Sequence, residues 1–307
     1  MSSKKLLYEG YCNRKPTVAR ESFGSANIYE RHAKSILSKA SGYIRAYDFT
    51  LNPYRGCQYG CSYCYAAAFS PNPSMRQDWG NWVISKDNAP ELLAKELQRW
   101  DDRHPNRPPK IYMSSVTDPY QPFETQKRIT RQLLEVMVAY QPTLTIQTRS
   151  PMVVRDIDIL QQLKRLRINM SVPTGSERVR KDFEPRSPSI QARLLAIGKL
   201  KYSLPDGGDR QVRCSITMTP LLPTFPEEQD EFINKLEIAD RVVIQAFHAS
   251  GNRSLVATTR QEATDLKRKY AWWYDREEEC YQAFKSKLSA VLSSTEIKEG
   301  AEGFTYE

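Results

Sequence analysis

Three cysteines stand close together in this chain: Cys57, Cys61 and Cys64, in the spacing C-x3-C-x2-C. Thiolates this close in sequence are typical of a metal centre, because sulfur is a good ligand for soft metals and for iron–sulfur clusters. Structural zinc sites use four Cys or His ligands, and iron–sulfur electron carriers use four cysteines. A set of three thiolates therefore predicts a metal centre with one position open to another ligand.

A zinc-stabilised nucleic-acid-binding module is the alternative interpretation of the same cysteines, with one histidine as the fourth ligand. The chain has only three histidines, His32, His104 and His248, and none of them lies in the cysteine loop. The pattern therefore favours an iron–sulfur centre over zinc.

The composition is typical of a folded protein with a hydrophobic core, since 40% of the residues are hydrophobic and 26% are charged. A length of 307 residues suits one large α/β domain or two small ones. The N-terminal residues lack the apolar segment of a signal peptide, and no apolar run approaches the ~20 residues that span a bilayer. We therefore expect a cytoplasmic protein without membrane segments, whose clustered cysteines are metal ligands rather than disulfide partners.

Positive charge is in excess, with a net charge of +9 and an isoelectric point of about 9.2. Residues 1–45 carry nine Lys or Arg against three Glu. A second concentration lies further along the chain, at Arg178, Arg180, Lys181 and Arg186. This balance favours an anionic partner, and one interpretation is a surface for nucleic-acid phosphates. The other is an ordinary solvated surface with a basic arm, and charge alone does not distinguish the two.

Short apolar segments alternate with amphipathic segments from residue 47 onwards. Six segments have the pattern of strands: 47–51, 111–117, 143–148, 168–172, 212–217 and 242–247. Apolar residues recur between the last five at the spacing of helices, which predicts a parallel sheet with helices outside it. Parallel α/β sheets bind ligands at the carboxyl ends of their strands, and the cysteine loop follows the first strand at that end.

The chain divides into three predicted parts. Residues 1–45 are expected to form a basic arm with a short helix near 28–37, residues 46–250 the α/β core, and residues 251–307 a helical extension. Aromatic residues of the extension recur at spacings of three and four, as at Tyr270, Trp273 and Tyr274, which suits a helix packed on the core. The alternative is an aromatic platform on which nucleobases stack.

Around its cysteines the chain resembles radical S-adenosylmethionine (SAM) enzymes, and more closely the branch related to spore photoproduct lyase. Three stretches carry the resemblance, in the expected order: Asn-Pro-Tyr-Arg-Gly-Cys at 52–57, Asp-Pro-Tyr-Gln-Pro at 118–122 and Phe-Glu-Pro-Arg at 183–186. Together they cover roughly residues 35–250. The resemblance implies a partial TIM barrel, (β/α)6, to which the arm and the helical extension are added.

The resemblance also implies a chemistry. The three cysteines would hold a [4Fe–4S] cluster, and the amino and carboxylate groups of SAM would chelate the fourth iron. One electron from the reduced cluster would cleave SAM into methionine and a 5′-deoxyadenosyl radical, which abstracts a hydrogen atom from the substrate. The protein supplies binding and positioning. A flavodoxin or a ferredoxin is the usual reductant of the family.

Five residues match SAM-binding positions of the family. Tyr63 matches the aromatic position beside the adenine, and Ser171 matches a position near the ribose. Thr117 and Asp118 match the place where the methionine amino group is received. Arg149 suits the methionine carboxylate, because a guanidinium can bind it with two hydrogen bonds. The ordinary alternatives are that Asp118 caps the following turn and that Arg149 forms a surface ion pair.

The Tyr-Cys-Tyr context of spore photoproduct lyase is also present, which makes Tyr63 and Tyr65 candidate catalytic residues. The hydrogen-donating cysteine of that enzyme, near the end of the second strand, has no counterpart. That stretch reads Met-Ser-Ser-Val-Thr at 113–117, and no cysteine occurs between Cys64 and Cys214. We therefore expect a related reaction on another substrate rather than repair of thymine dimers.

Overall fold

The computed structural model describes residues 20–204, 211–247 and 260–307. Its strands are β1 (Arg20–Phe23), β2 (Ala26–Arg31), β3 (Leu37–Lys39), β4 (Phe49–Leu51), β5 (Tyr54–Arg55), β6 (Trp82–Lys86), β7 (Lys110–Met113), β8 (Thr143–Thr148), β9 (Arg165–Ser171), β10 (Gln211–Met218), β11 (Arg241–Ile244) and β12 (Glu296–Glu299). Its α-helices are α1 (Pro73–Gln77), α2 (Ala89–Arg103), α3 (Glu124–Lys127), α4 (Ile129–Tyr140), α5 (Ile157–Leu160), α6 (Glu177–Phe183), α7 (Ile190–Ser203), α8 (Pro226–Leu236), α9 (Gln261–Lys269), α10 (Ala271–Tyr274), α11 (Glu277–Val291) and α12 (Gly300–Gly303). Short 3-10 helices lie at Gly42–Ile44, Tyr65–Phe69 and Pro151–Asp156.

An eight-stranded sheet forms the centre of the molecule, in the order β12-β11-β10-β9-β8-β7-β4-β3. Neighbouring strands from β4 to β12 run parallel, whereas β3 pairs antiparallel with β4. All six predicted strands are present and in the predicted order, and among the described residues β3 and β12 remain as free edges. The predicted partial barrel is therefore confirmed, and β12 adds a further parallel strand that the helical pattern of the extension did not indicate.

The two faces of this sheet differ in polarity. On β9, Leu166, Ile168 and Met170 belong to the apolar core beneath the outer helices. Successive side chains of a strand point to opposite faces, so Arg167 and Asn169 face the interior of the partial barrel. Hydrogen bonds join polar side chains across this interior: Tyr112 to Gln147 at 2.9 Å, Gln147 to Thr217 at 2.9 Å and Arg167 to Ser215 at 2.7 Å. The interior therefore has the polarity needed to hold a polar ligand.

One predicted helix is much shorter than expected. The helix predicted between the strands at 143–148 and 168–172 would contain Ile159, Leu163 and Leu166 at helical spacing, but α5 ends at Leu160 and Leu166 lies in β9. All three side chains are buried in the same core. The prediction failed because a turn and the start of a strand brought Leu163 and Leu166 to the face that a helix would also have reached.

A smaller sheet, in the order β1-β2-β6-β5, lies beside the cysteine loop. Ala26, Ile28 and Val83 of one face pack on the central core, while Trp82 and Ile84 of the other face pack with the cysteines. The helix predicted near 28–37 is wrong, because β2 occupies its first part. Buried Ala26 and Ile28 recur every second residue, which is the period of a strand.

The C-terminal segment covers the amino end of the sheet. Arg241 donates to the carbonyl of Thr305 at 2.9 Å, and Arg167 donates to that of Tyr306 at 2.8 Å. With this end covered, the carboxyl ends of the strands are left for a functional site. Within the described residues, no helix is both long and apolar enough to cross a membrane.

Candidate active site

The cysteine loop leaves β5 and turns over the carboxyl ends of the central strands. Cys57 and Cys61 are buried with Trp82 and Ile84, and Cys64 is partly buried against the same cluster. Gly56 has a φ of +82°, and a Cβ atom there would lie 2.6 Å from the carbonyl oxygen of Trp82. Only glycine fits this position, because the backbone is in the left-handed region and the space is already filled.

The three thiols share one electrostatic environment. Burial raises the pKa of Cys61 to about 12, and it raises the pKa of Cys57 and of Cys64 above the ordinary thiol value. The pKa of Cys57 is raised further by the nearby Asp118, Cys61 and Cys64. Thiolates crowded into an apolar site need a compensating positive charge, which iron ions provide, so the donor set fits a cluster. In the described ranges, no three His, Cys, Asp or Glu side chains are placed to hold a single metal ion.

The residues after β7 anchor the cysteine loop. The hydroxyl of Thr117 donates to the carbonyl of Gly56 at 2.6 Å. The side chain of Gln121 accepts from the amide of Gln58 at 3.0 Å, and the side chain of Gln58 accepts from the amide of Phe123 at 2.6 Å. Thr117 therefore holds the backbone of the cysteine loop, and its predicted contact with the methionine amino group stays a prediction.

Asp118 links the ends of β7 and β8. Its Oδ1 accepts from the amide of Tyr120 at 2.9 Å and from the hydroxyl of Thr148 at 2.7 Å, and its Oδ2 accepts from the amide of Arg149 at 2.8 Å. Burial raises the pKa of this carboxyl, although the three donors oppose that effect. Asp118 therefore caps the following turn, as the ordinary alternative expected, and also fixes Arg149 in place.

Arg149 lies beside the cysteine loop, with its side chain only 16% exposed. Its Nη1 donates to the Sγ atom of Cys61 at 2.9 Å and to the hydroxyl of Tyr63 at 3.2 Å, and forms an ion pair with Glu184. Its Nε and Nη2 have no hydrogen-bond partner among the described residues. The alternative of a surface ion pair is wrong, because this pair is buried and one edge of the guanidinium remains available.

Glu184 is the functional candidate to which sequence reasoning assigned no role. Its carboxylate is 0% exposed and accepts from Arg149, from the hydroxyl of Tyr63 and from Nη2 of Arg193 at 2.6 Å. Burial alone would raise the pKa of Glu184, but the charges of Arg149 and Arg193 lower it below the ordinary value. In the sequence, Glu184 lies within the stretch Phe-Glu-Pro-Arg at 183–186, which carries part of the family resemblance. Arg193 also donates to the carbonyl of Ser171 at 2.9 Å, which ties β9 to this network.

The two candidate tyrosines face different groups. Tyr63 donates to Glu184, and its ring centroid lies 6.5 Å from that of Phe183. Tyr65 is 40% exposed and donates to the carbonyl of Ser115 after β7. Desolvation raises the pKa of both phenols, so each carries its proton at neutral pH. Both hydroxyl groups are therefore hydrogen-bond donors at neutral pH, one to Glu184 and the other to the carbonyl of Ser115.

The other cysteines and the histidines lie apart from the loop or outside the described residues. Cys214 is buried in the core between the sheet and the outer helices, and Cys280 is on α11. His104 stacks on Trp100 at the end of α2, with ring centroids 4.0 Å apart. Cys12 and His248 lie outside the described residues.

The basic residues of α6 and the segment after it have two different roles. Arg180 is buried and donates to the carbonyl of Ser187 at 2.8 Å, and Arg186 donates to the carbonyl of Gly80 at 2.6 Å. Arg178 and Lys181 are exposed. Arg180 and Arg186 therefore stabilise the fold through backbone carbonyl groups. The basic surface that the sequence suggested is smaller as a result.

An aromatic platform lies beside this surface. The guanidinium carbon of Arg178 is 4.4 Å from the ring centroid of Phe225, and Phe225 stacks on Trp272 at 5.4 Å. Trp272 is 37% exposed, whereas Trp273 is buried. Core packing therefore accounts for Trp273, whereas Trp272 and the half-buried Phe225 form a partly exposed platform, and stacking of nucleobases on it stays a prediction.

The sequence of this chain is similar to a known family and to several known proteins. The family model described as the radical SAM superfamily matches residues 51–236. The uncharacterized protein MJ0683 of Methanocaldococcus jannaschii is 34% identical over 152 residues, which are 50% of this chain and 54% of that protein. The uncharacterized protein ORF301 of Acidianus two-tailed virus is 26% identical over an alignment of 268 residues, which covers 74% of this chain and 83% of that protein. The chain thus spans about half the length of MJ0683.

Solved structures show the same fold. A spore photoproduct lyase complexed with dinucleoside spore photoproduct has a TM-score of 0.58 at 14% identity, covering 85% of this chain and 77% of that one. A double mutant of spore photoproduct lyase with bound AdoMet and dinucleoside spore photoproduct has a TM-score of 0.55 at 15% identity, covering 77% and 66%. At these identities the similarity establishes the fold and leaves the substrate open.

Replacing Glu184 by Gln tests the buried network. The variant leaves two buried guanidinium groups without their carboxylate, so the free energy of unfolding of the metal-free protein should fall by about 3 kcal/mol at pH 7, measured by urea denaturation. Because the pKa of Glu184 is lowered in the folded state, its contribution is complete above the unfolded value of about 4.3. The difference between the two proteins should shrink as the pH falls through the lowered pKa.

The matched control is Glu231→Gln, which removes a carboxylate from an exposed pair with Lys235 on α8. Its unfolding curve should match that of the unmodified protein. Equal stability of the Glu184→Gln variant and the unmodified protein at pH 7 would contradict the assigned role of the network.

Proposed function

The chain belongs to the radical SAM superfamily, and on that premise we propose that Cys57, Cys61 and Cys64 hold its [4Fe–4S] cluster and that Arg149 receives the SAM carboxylate. Radical SAM enzymes use such a cluster together with SAM and need a reductant. Family membership does not favour the zinc-stabilised module. The observation that carries the proposal is the guanidinium of Arg149, which is anchored on one side beside a cluster cysteine and free on the other.

The geometry of Arg149 supports this assignment. A guanidinium binds a carboxylate best through two parallel N–H groups, and its outer edge, Nε with Nη2, offers such a pair. Glu184 accepts from Nη1 and therefore fixes the orientation of that free edge. Glu184 also keeps Arg193 as a partner, so it stays charged while Arg149 binds an anion. Asp118 also helps to fix the position of Arg149, because it accepts a hydrogen bond from the backbone amide of Arg149 at 2.8 Å.

The neighbouring residues complete the proposed SAM site. A carboxylate oxygen can accept two hydrogen bonds, and Oδ2 of Asp118 accepts one from Arg149, so it retains capacity for the methionine amino group. Thr117 fixes the backbone at Gly56, one residue before the first cluster cysteine. The hydroxyl of Tyr63 contacts both Arg149 and Glu184, and its ring is assigned to the face of the adenine. Ser171 stays the proposed contact to the ribose, from the carboxyl end of β9.

When bound, the cluster and SAM supply a carbon-centred radical that takes a hydrogen atom from the substrate. The protein must then exclude water, orient the substrate and provide or return hydrogen. Tyr65 is assigned the last task, because its side chain is partly exposed and its hydroxyl lies at the carbonyl of Ser115, just after β7. Ser114 and Ser115 follow β7, where spore photoproduct lyase carries its hydrogen-donating cysteine. The residue that returns the hydrogen atom in this protein is therefore not a cysteine after β7, unlike in spore photoproduct lyase.

We further propose that the substrate is anionic and includes nucleic acid. The net charge of +9 supports this class, and so does the platform of Phe225 and Trp272 with Arg178 above it. Aromatic side chains beside exposed arginines are typical of surfaces that bind single-stranded nucleic acids. The similar spore photoproduct lyase structures were solved with a dinucleoside ligand, which motivates the same test here.

Replacing Cys61 by Ala tests the cluster assignment. After anaerobic reconstitution with iron and sulfide, the unmodified protein should absorb broadly near 400 nm and form 5′-deoxyadenosine when dithionite and SAM are added. Cys61→Ala should lose both properties, because two thiolates cannot hold the cluster. Cys280→Ala is the control and should retain both, since Cys280 lies on α11. Formation of 5′-deoxyadenosine by Cys61→Ala would contradict the assignment.

Replacing Trp272 by Ala tests the nucleic-acid surface. Loss of one stacking contact should raise the Kd for a labelled single-stranded oligonucleotide about tenfold at low salt, measured by fluorescence anisotropy. The affinity of the unmodified protein should fall steeply as salt rises. Tyr202→Ala, which removes a highly exposed aromatic side chain of α7, should bind as the unmodified protein does. Undetectable or salt-insensitive binding would indicate a peptide or a small molecule as the substrate instead.

A further inference from the structure

The small sheet beside the cysteine loop separates its charges by face. On one side the carboxylates of Glu30 and Asp87 bind the ammonium group of Lys127, at 2.5 and 2.9 Å. The strands β2, β6 and β5 carry three cations on the opposite side: Arg31, Lys86 and Arg55. Alternation along each strand produces this separation, because neighbouring residues point to opposite faces of the sheet.

The register brings these three cations together. Arg31 lies directly opposite Lys86 in the parallel pair of β2 and β6. Arg55 lies opposite Ile84 in the antiparallel pair of β5 and β6, which makes it a diagonal neighbour of Lys86 on the same face. Like charges placed directly opposite each other across two strands destabilise a sheet. The register therefore places two further cations next to Lys86, one directly opposite it and one diagonal to it, and the three form a row.

Lys86 has no carboxylate partner among the described residues. Its ammonium group donates to the carbonyl of Asn52 at 2.7 Å. Burial and the charges of Arg55 and Arg31 lower the pKa of Lys86 to about 8. Arg31 is exposed at the end of β2. An anionic group placed on this row would relieve the repulsion, which makes the row complementary to an acidic partner.

The position of the row indicates which partner that is. The face that carries the three cations also carries Trp82 and Ile84, which pack on Cys57 and Cys61. Arg55 precedes Cys57 by only two residues, and its guanidinium donates to the carbonyl of Phe69 at 2.6 Å. Phe69 is itself exposed. An exposed apolar side chain among cations is suited to a weak, electrostatically steered encounter with a protein.

We propose that Arg31, Arg55 and Lys86 form the docking surface for an acidic one-electron donor protein. The proposal rests on the proposed function, because only a cluster in the cysteine loop gives the electron a destination at this surface. In the encounter the donor loses one electron and the cluster gains one, and no covalent bond changes. The platform of Phe225 and Trp272 belongs to other elements, so substrate and donor would use separate surfaces.

Replacing Arg31 by Glu tests this surface, because Arg31 is exposed and lies outside the cysteine loop. The probes are reduced flavodoxin and reduced [2Fe–2S] ferredoxin, both acidic, and the measurement is the rate constant of cluster reduction by stopped-flow absorption. We expect Arg31→Glu to lower this rate constant about tenfold at low salt for at least one donor. The Kd of the complex should rise in parallel, and salt should reduce the difference between the proteins.

A control variant and a chemical reductant distinguish a loss of docking from a general loss of cluster reduction. Lys199→Glu makes the same charge change on an exposed residue of α7 and should react with the donor as the unmodified protein does. Dithionite needs no docking surface, so the ratio of donor-driven to dithionite-driven reduction should fall only for Arg31→Glu. Equal ratios for the two variants would overturn the proposal.

The experiment also separates this proposal from the ones it depends on. If Arg31→Glu weakened oligonucleotide binding and left donor-driven reduction unchanged, the row would belong to the nucleic-acid surface and the docking proposal would be wrong. If the reconstituted unmodified protein lacked iron–sulfur absorption, the proposed function would fail and the docking proposal with it. A fall in the donor ratio for Arg31→Glu alone, with the absorption intact, supports both.

Discussion

A buried carboxylate held between two arginines is the interaction on which the rest of this site depends. Glu184 fixes Arg149 on one side and Arg193 on the other, and Arg193 binds the backbone at the end of β9. Isolated charges are costly in such an interior, and here each one is paired and hydrogen-bonded. The network therefore holds one guanidinium against Cys61, a proposed cluster ligand, in a single orientation.

The architecture gives different tasks to different parts of the sheet. The amino ends of the strands are covered by the C-terminal segment, through Arg167 and Arg241, which stabilises the partial barrel where no chemistry is proposed. The carboxyl ends carry the cysteine loop, Asp118 and Arg149. The small sheet supports the loop from behind with Trp82 and adds a row of cations. We thus propose three separate surfaces: the carboxyl ends of the strands for radical generation, the platform of Phe225 and Trp272 for substrate binding, and the row of cations for reduction.

The sequence predicts contiguous features well and long-range ones poorly. The cysteines fall within eight residues, and the six strands follow from local periodicity, so both were visible without a structure. The role of Glu184 was not, because its partner Arg149 lies 35 positions away and no local pattern links them. The basic cluster misled for a similar reason: Arg178 and Arg180 look alike in sequence, yet α6 turns Arg180 inward to bind carbonyl groups.

The free edge of Arg149 is proposed to receive the SAM carboxylate, and electron paramagnetic resonance of the reduced cluster can detect this binding. SAM is titrated into the unmodified protein and into Arg149→Lys, which keeps the charge but lacks the two-pronged edge. SAM should change the cluster spectrum in both proteins, and the variant should need at least about tenfold more SAM for half of the change. Equal SAM dependence in two proteins with intact clusters would contradict the proposed role of Arg149.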